Sequence, residues 1–289
     1  MRNPYKTDEE TIIAMSGGRT SAYMLWRVLQ EYGGKLPEHI KVVFFNTGKE
    51  MPETLDFVRD IGHQWQVDIT WVERYTFKSD DEKTKYRYEL KIVNHKTAAR
   101  NGEPFKKIIE VYGQLPNPVS RYCSAQLKTK ATAHYAKEVL SWETPVQSFI
   151  GIRADEHVRG RKIHNSRESG QDRFCPLWVD GVSKYDVSDF WKASDFDLNL
   201  PNNNGVTDWG NCDICFLKAA SKKQSIIKAR PDLAEWWIEM ENMAKDGGGN
   251  GDYWRIDHPT IEKMALIATD GDLFGFRDDE ENIPCFCGD

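Results

Sequence analysis

The sequence predicts an α/β chain: a doubly wound parallel sheet, with a helical insertion and a C-terminal helical, cysteine-bearing extension. Three observations carry that expectation. The apolar runs Thr11–Met15, Ile40–Phe45 and Val146–Ile152 are continuous rather than alternating, as in strands buried on both faces. Segments of helical period follow the first two. The glycine-bearing turns Ser16-Gly17-Gly18 and Asn46-Thr47-Gly48 close those runs, at the strand ends where such sheets bind ligands.

Each element has its own signal. Thr11–Met15 reads as a buried strand. Thr20–Glu31 follows as a helix with apolar Tyr23, Met24, Leu25, Val28 and Leu29, and Gly33-Gly34 ends it. Ile40–Phe45 is the second strand. Pro52 suits a helix start, and Glu53–Trp65 carries the helical period. Val67–Val72 is a third strand, half alternating. Tyr75–Ser120 is charged and turn-rich and reads as an insertion of helices and loops. Arg121–Leu140 reads as helix. Val146–Ile152 is a further strand, with Gly151-Ile152-Arg153-Ala154-Asp155-Glu156 at its tip. Asp186–Trp191 reads as a helix beside the sheet, and Asn199–Trp209 as a loop. Ala219–Lys245 reads as helix interrupted near Pro231, and Gly247–Gly251 as a linker. Residues 1–200 thus form a nucleotide-binding α/β domain with an insertion at about 75–120, and residues 201–289 the extension.

Composition narrows the class. The 289 residues are 39% hydrophobic, with ten Trp and thirteen Phe, enough for a large core. The apolar runs are far shorter than a bilayer span, so no membrane helix is expected. The first residues, Met-Arg-Asn-Pro-Tyr-Lys-Thr-Asp, lack an apolar signal region, and a cytoplasmic location is expected. A net charge of −6 argues against bulk nucleic-acid affinity. Yet residues 78–137 hold thirteen Lys/Arg against six Asp/Glu. That segment suits either a phosphorylated or nucleic-acid acceptor or a solvated mixed-charge face. Six cysteines in a cytoplasmic chain suit metal or redox chemistry better than a disulfide framework.

The first glycine turn is the strongest chemical signal. Backbone N–H groups at a helix start are unpaired, and the dipole there favours an anion. Gly17 and Gly18 permit close backbone approach. Ser16, Thr20 and Ser21 add hydroxyls, and Arg19 adds a cation. The turn is neither a Walker loop nor a dinucleotide fingerprint. In Asn46-Thr47-Gly48-Lys49-Glu50, the Glu50 carboxylate makes sense beside phosphate only with Mg²⁺ or as an acceptor for ribose or base. Arg153 offers a planar fork to a phosphate or sulfate, and Arg159 and Arg161 follow it. Cys212-Asp213-Ile214-Cys215 can place two sulfurs on one metal. A four-cysteine site would join Cys123, Cys212 and Cys215 to Cys287, or to Cys285 instead. Iron–sulfur and zinc both suit such a set, as do redox thiols without metal. Cys175 reads as a core thiol and Trp236-Trp237 as core.

Six segments together resemble the phosphoadenosine-phosphosulfate (PAPS)-reductase-like branch of the PP-loop ATP pyrophosphatase superfamily. They are Ser16–Ser21, Asn46–Glu50, Arg100–Phe105, Arg121–Lys128, Gly151–Glu156 and Gly210–Lys218. The likeness is also to the iron–sulfur subunit of DNA phosphorothioation systems. The resemblance implies a Rossmann-like HUP fold and an adenine nucleotide, ATP or PAPS, over the first loop. It matches Ser16, Gly17, Gly18 and Ser21 to the phosphate loop, and Arg19 and Thr20 are expected to bind the nucleotide from their place in the same turn. Asn46, Thr47 and Gly48 would lie beside the adenosine, with Glu50 expected at the same turn on its own chemistry, and Gly151 and Arg153 would make the third contact. It implies an iron–sulfur cluster, 4Fe–4S, on Cys123, Cys212 and Cys215; Mg²⁺ and catalytic roles for Arg19, Lys128 and Arg153 are expected from the residues themselves. Two departures stand out. Thr20 occupies a position where many adenylating members carry Asp. The chain ends Cys285-Phe286-Cys287-Gly288-Asp289, not in the Glu-Cys-Gly-Leu-His tail of thiol-dependent reductases.

Three functions are therefore expected in order. The first is ATP-dependent, pyrophosphate-releasing sulfur transfer or nucleotide activation. The second is PAPS reduction by a C-terminal cysteine, and the third a nucleotide-sensing subunit without turnover. Expected partners are the nucleotide, a phosphorylated or nucleic-acid acceptor gripped by residues 78–137, and a protein sulfur donor or a second copy of the chain.

Overall fold

A computed structural model describes residues 3–81, 84–203, 206–246, 253–270 and 283. The strands are β1 (Thr11–Met15), β2 (Ile40–Phe45), β3 (Ile69–Lys78), β4 (Tyr86–Val93), β5 (Val146–Ile150), β6 (Arg167–Glu168) and β7 (Gln171–Phe174). They form one sheet in the order β4-β3-β2-β1-β5-β7-β6. β1 pairs in parallel with both β2 and β5, β2 with β3 and β5 with β7. The chain winds outward from β1 through β2 and β3, then returns to β5 on the other side. The carboxyl ends of β1 and β5 therefore form a topological switch point, the crevice where open α/β sheets bind ligands.

The helices are α1 (Arg19–Glu31), α2 (Pro52–Gln64), α3 (Glu103–Tyr112), α4 (Tyr122–Ser124), α5 (Lys130–Glu138) and α6 (His157–Ile163), followed by α7 (Pro176–Val179), α8 (Lys184–Lys192), α9 (Ala220–Ala229), α10 (Ala234–Asp246) and α11 (Ile261–Asp270). Ile13 and Met15 of β1 pack with Met24, Leu25 and Val28 of α1, Phe57 of α2 and Trp191 of α8. Ile12 of the same strand packs on the other face with Val43, Phe45, Ala131 and Tyr135. Burial on both faces is why the run is continuous rather than alternating.

The charged segment after Tyr75 differs from the expected helices and loops. β3 runs on to Lys78 and pairs antiparallel with β4, placing a hairpin at the sheet edge. In β4 the half-buried Tyr86, Tyr88 and Leu90 alternate with exposed Arg87, Glu89 and Lys91. That period of two is the mark of a strand with one solvated face. Its cations lie over rings of β3: Arg87 over Phe77 and Lys91 over Tyr75. Only α3 of the insertion is helical among the described residues.

The hairpin is braced by His134 of α5, which stacks on Tyr88 at 3.8 Å and accepts from Arg74 Nε at 3.2 Å. Burial, then the Arg74 charge, pushes this histidine down to about 4. The unfolded chain, with an ordinary histidine near 6.5, takes up the proton first. Stability contributed here is full above about pH 6.5, falls as pH drops toward 4 and then levels off. Urea midpoints measured from pH 7 to 4 should show that loss. His134→Phe, which keeps a ring in the stack, should flatten it; an unchanged slope in the variant contradicts the assignment.

A second apolar cluster joins α3, the Tyr122–Leu127 segment, residues 214–217 and α9 to α11, with Trp237 and Trp254 at its centre. The predicted Arg121–Leu140 helix forms as α4, a π-helical turn at Ala125–Thr129, and α5. Such widened turns occur often at functional sites; this one carries Lys128. Cys175 is fully buried, and burial pushes its thiol up to about 12. Cys285, Cys287 and Gly247–Gly251 lie outside the described residues. No helix among the described residues is long and apolar enough to cross a membrane.

Candidate functional site

The first glycine turn joins β1 to α1 at the switch point. Gly17 has φ +82°, and a Cβ there would lie 2.4 Å from Thr54 Cγ2. Gly151, at the end of β5, passes so near α1 that a Cβ would lie 2.9 Å from Ser21 Cα. Gly18 stands at the N-cap of α1 with no side-chain cap, and its own N–H donates to Ser16 Oγ at 3.3 Å. Ser21 faces inward. Its hydroxyl accepts from Ser16 N–H at 3.2 Å, donates to the Gly18 carbonyl at 3.0 Å and meets Ser16 Oγ at 2.8 Å. It braces the loop.

Arg19 is buried, and its fork is held by Asp197, Nε and Nη2 each at 2.6 Å from a carboxylate oxygen. Thr20 Oγ1 accepts from Arg153 Nη1 at 2.9 Å. The rest of the Arg153 fork meets Asp155 and Glu156. Arg159, buried and ion-paired with Glu156, comes to the same place. Arg153, Glu156 and Arg159 line a cleft of about 220 Å³ with Gly17, Gly18, Arg19 and Thr20. With Thr207, Gly210 and Asn211 they also line an adjoining chamber of about 520 Å³ that reaches Cys215, Leu217 and Lys218. The cleft over the glycine loop thus opens into a second space that ends at a thiol.

The second turn is locked from beneath. Asn46 Nδ2 donates to Glu73 Oε1 at 2.7 Å and to the Ala99 carbonyl at 2.9 Å. Glu50 Oε2 accepts from the N–H and hydroxyl of Thr47 at 2.9 and 2.8 Å. Its Oε1 lies 3.8 Å from the Lys128 ammonium, and the side chain is fully buried. Glu50 and Lys128 therefore face each other behind the turn, and Glu50 does not line the cleft over the glycine loop. Gly48 accepts from Gly102 N–H at 2.8 Å, which ties the Arg100–Phe105 segment to the same turn.

Cys123, Cys212 and Cys215 line one small apolar cavity together with Thr47 and Lys128. The Cys212 sulfur lies 3.6 Å from Thr47 Oγ1. Burial first, then the Glu50 charge, pushes the Cys212 thiol up. Three thiols with apolar walls suit a soft, sulfur-preferring metal group. The cavity is about 30 Å³, however, and among the described residues no three His, Cys, Asp or Glu side chains are gathered closely enough to hold a metal ion. A cluster would need this pocket to widen.

Several polar residues of the site carry no local sequence signal. Glu73 anchors Asn46 and Ala99, and Asp197 holds Arg19 across 178 positions. Lys49 pairs with Asp213 at 2.8 Å, both buried, and Asp213 also accepts from Trp237 Nε1 at 2.6 Å. Lys218 donates to the carbonyls of Cys212 and Asp213. Lys49 and Lys218 lay inside the quoted motifs, but their partners show only in the fold.

No family model matches the chain. It is 28% identical over 212 residues to an uncharacterised nin-region protein of Escherichia phage lambda, covering 73% of this chain and 67% of that one. It is 31% identical over 251 residues to an uncharacterised protein of Methanocaldococcus jannaschii, covering 85% of this chain but 44% of its relative. The chain thus spans about two thirds of the first relative and under half of the second. Among solved structures it is similar to a PAPS reductase from Candida auris, at 16% identity and TM-score 0.33, covering 60% of this chain and 67% of that one. It is also similar to the U34-tRNA thiolase NcsA from Methanococcus maripaludis, solved with its 4Fe–4S cluster, at 11% identity and TM-score 0.38, covering 98% and 79%.

Proposed function

We propose that the chain is a PAPS-reductase-like PP-loop protein that uses ATP to activate an acceptor and releases pyrophosphate. The observation that carries this reading is the uncapped start of α1 at the sheet's switch point, facing a cleft that Arg153 and Arg159 also line. Backbone N–H groups and two guanidinium forks are the donors that a triphosphate needs. Charge developing on the leaving pyrophosphate would fall to the loop N–H groups and to Arg19 and Arg153, which line the cleft and are each already bridged to carboxylates, Arg19 to Asp197 and Arg153 to Asp155 and Glu156. Mg²⁺ would accompany the nucleotide.

The acceptor occupies the adjoining chamber, between the nucleotide and Cys215. The cations laid over Phe77 and Tyr75 on the exposed hairpin suit a phosphorylated or nucleic-acid acceptor. Cys123, Cys212 and Cys215 are the thiols that would hold a metal–sulfur group and take part in sulfur delivery. Lys128, beside Glu50 and the thiol cavity, stands on the sulfur side of the site rather than the phosphate side.

Protein purified without oxygen, given ATP and Mg²⁺, should release pyrophosphate when a suitable nucleic-acid or sulfonucleotide partner is present. Arg153→Met should lower that rate about 100-fold, the usual cost of losing a preorganised charge donor. Tight ATP binding without pyrophosphate release from any partner would leave a sensing subunit instead. Sulfite release from PAPS with thioredoxin, abolished by Cys287→Ser, would make the chain a reductase. Iron and zinc analysis of the same sample tests the cysteine set: about four irons per chain, lost in Cys212→Ala, is the expected result.

A further inference from the structure

One carboxylate ties the turn after β5 to helix α6. Glu156 stands at the N-cap of α6. Its Oε2 accepts from the Arg153 N–H at 3.0 Å and lies 3.6 Å from Arg153 Nη1. Its Oε1 accepts from Arg159 Nη1, one helical turn on. Its own N–H donates to the Arg153 carbonyl at 3.2 Å, so the turn closes on itself. The helix behind it is packed tightly: a Cβ on Gly160 would fall 2.0 Å from Trp178 Nε1. All three side chains are mostly buried, and all three line both the cleft over the glycine loop and the adjoining chamber. On charge alone, a carboxylate in such a wall repels a phosphate ligand. Two guanidinium groups side by side also repel each other. A carboxylate shared between them removes that second repulsion before any ligand arrives.

We infer that Glu156 is a positioning residue that sets Arg153 and Arg159 as a paired receptor for the phosphates of the nucleotide. The inference rests on the nucleotide reading above. Glu156 acts through the two arginines rather than on the ligand. Forks already fixed at their spacing lose little freedom on binding, and a preformed donor set is what carries affinity and rate. Adjacent phosphates are the ligand that two such forks fit. The effect of Glu156 thus runs against simple electrostatics. Removing its charge would by itself tighten ATP binding; losing the placement of two arginines weakens it.

Calorimetric titration with ATP of two variants separates these effects. Glu156→Gln keeps the shape and an acceptor oxygen and removes the charge. Glu156→Asp keeps the charge and shortens the reach. ATP affinity should fall about tenfold in each, the lower end for a lost contact to a charged group. If Glu156 only trimmed the charge of the cleft, Glu156→Gln would bind ATP more tightly and Glu156→Asp as the wild type does; that pattern overturns the inference. On an Arg159→Met background, Glu156→Gln should cost less than about threefold, because residues that act as one unit are not additive. One of the two groups it places is then gone, and Thr20 and Asp155 still hold Arg153. A full tenfold loss on that background would mean that Glu156 acts on the ligand itself, and overturns the inference too. Melting curves show whether each variant is folded; if Glu156→Gln is not, Glu156→Asp carries the test. Wild-type affinity in both variants overturns the positioning role and spares the nucleotide reading. Failure of the wild type to bind ATP overturns the nucleotide reading itself.

Discussion

Gly17→Ala should lower nucleotide-dependent activity about 100-fold while leaving the sheet folded. A methyl at this position would lie 2.4 Å from Thr54 Cγ2 and 3.3 Å from the Phe44 ring. The backbone there has φ +82°, which an L side chain adopts only at a cost of about 1–2 kcal/mol. Phe44 is fully buried and Thr54 sits on α2, so neither yields easily. The turn itself must shift, and with it the N–H groups that start α1. A displacement of about 1 Å in a positioning element costs about 100-fold in rate. Pyrophosphate release and ATP affinity should both fall, with circular dichroism unchanged. Wild-type ATP affinity in the variant would show that the loop does not seat the phosphates.

Lys49→Met should be the most damaging single change outside the sheet core. It leaves Asp213 charged, buried and without its cation. Removing one partner of a buried pair typically costs about 3–5 kcal/mol. For a chain of this size the melting temperature should drop by about 10 °C. Lys49→Met/Asp213→Asn removes the stranded charge and keeps the Trp237 hydrogen bond, so most of the loss should return. Equal melting temperatures for wild type and Lys49→Met would mean that the pair contributes nothing in solution.

The two parts of the molecule differed in how far the sequence disclosed them. β1, β2, α1 and α2 were readable because strands covered on both faces are apolar throughout, and Gly17-Gly18 and Gly48 mark where they turn. β4 was missed because an edge strand needs only one apolar face, and the alternation in Tyr86–Leu90 is diluted by charge. The π-helical turn at Ala125–Thr129 has no pattern that separates it from ordinary helix.

The site shows the same division. A glycine that must approach a ligand, or a cysteine pair at fixed spacing, is a local signal. What a polar side chain is paired with is not. Arg19 lines the cleft as expected of a phosphate-loop residue, but the carboxylate that braces it, Asp197, lies far along the chain. Ser21 looked like an anion donor, yet its hydroxyl is spent on Ser16 and Gly18. Glu50 suited Mg²⁺ on paper; folding turns it to Thr47 and Lys128. In each case the residue type was informative and its partner was decided by the topology.

The most direct test of the central claim is a calorimetric titration of the protein with ATP, repeated on Gly17→Ala. Seating on the Ser16–Ser21 loop predicts one ATP per chain with a dissociation constant of about 1 μM to 1 mM, the usual span of enzyme KM values, and clearly weaker binding in the variant. Binding of equal strength in both proteins, or none in the wild type, would contradict it.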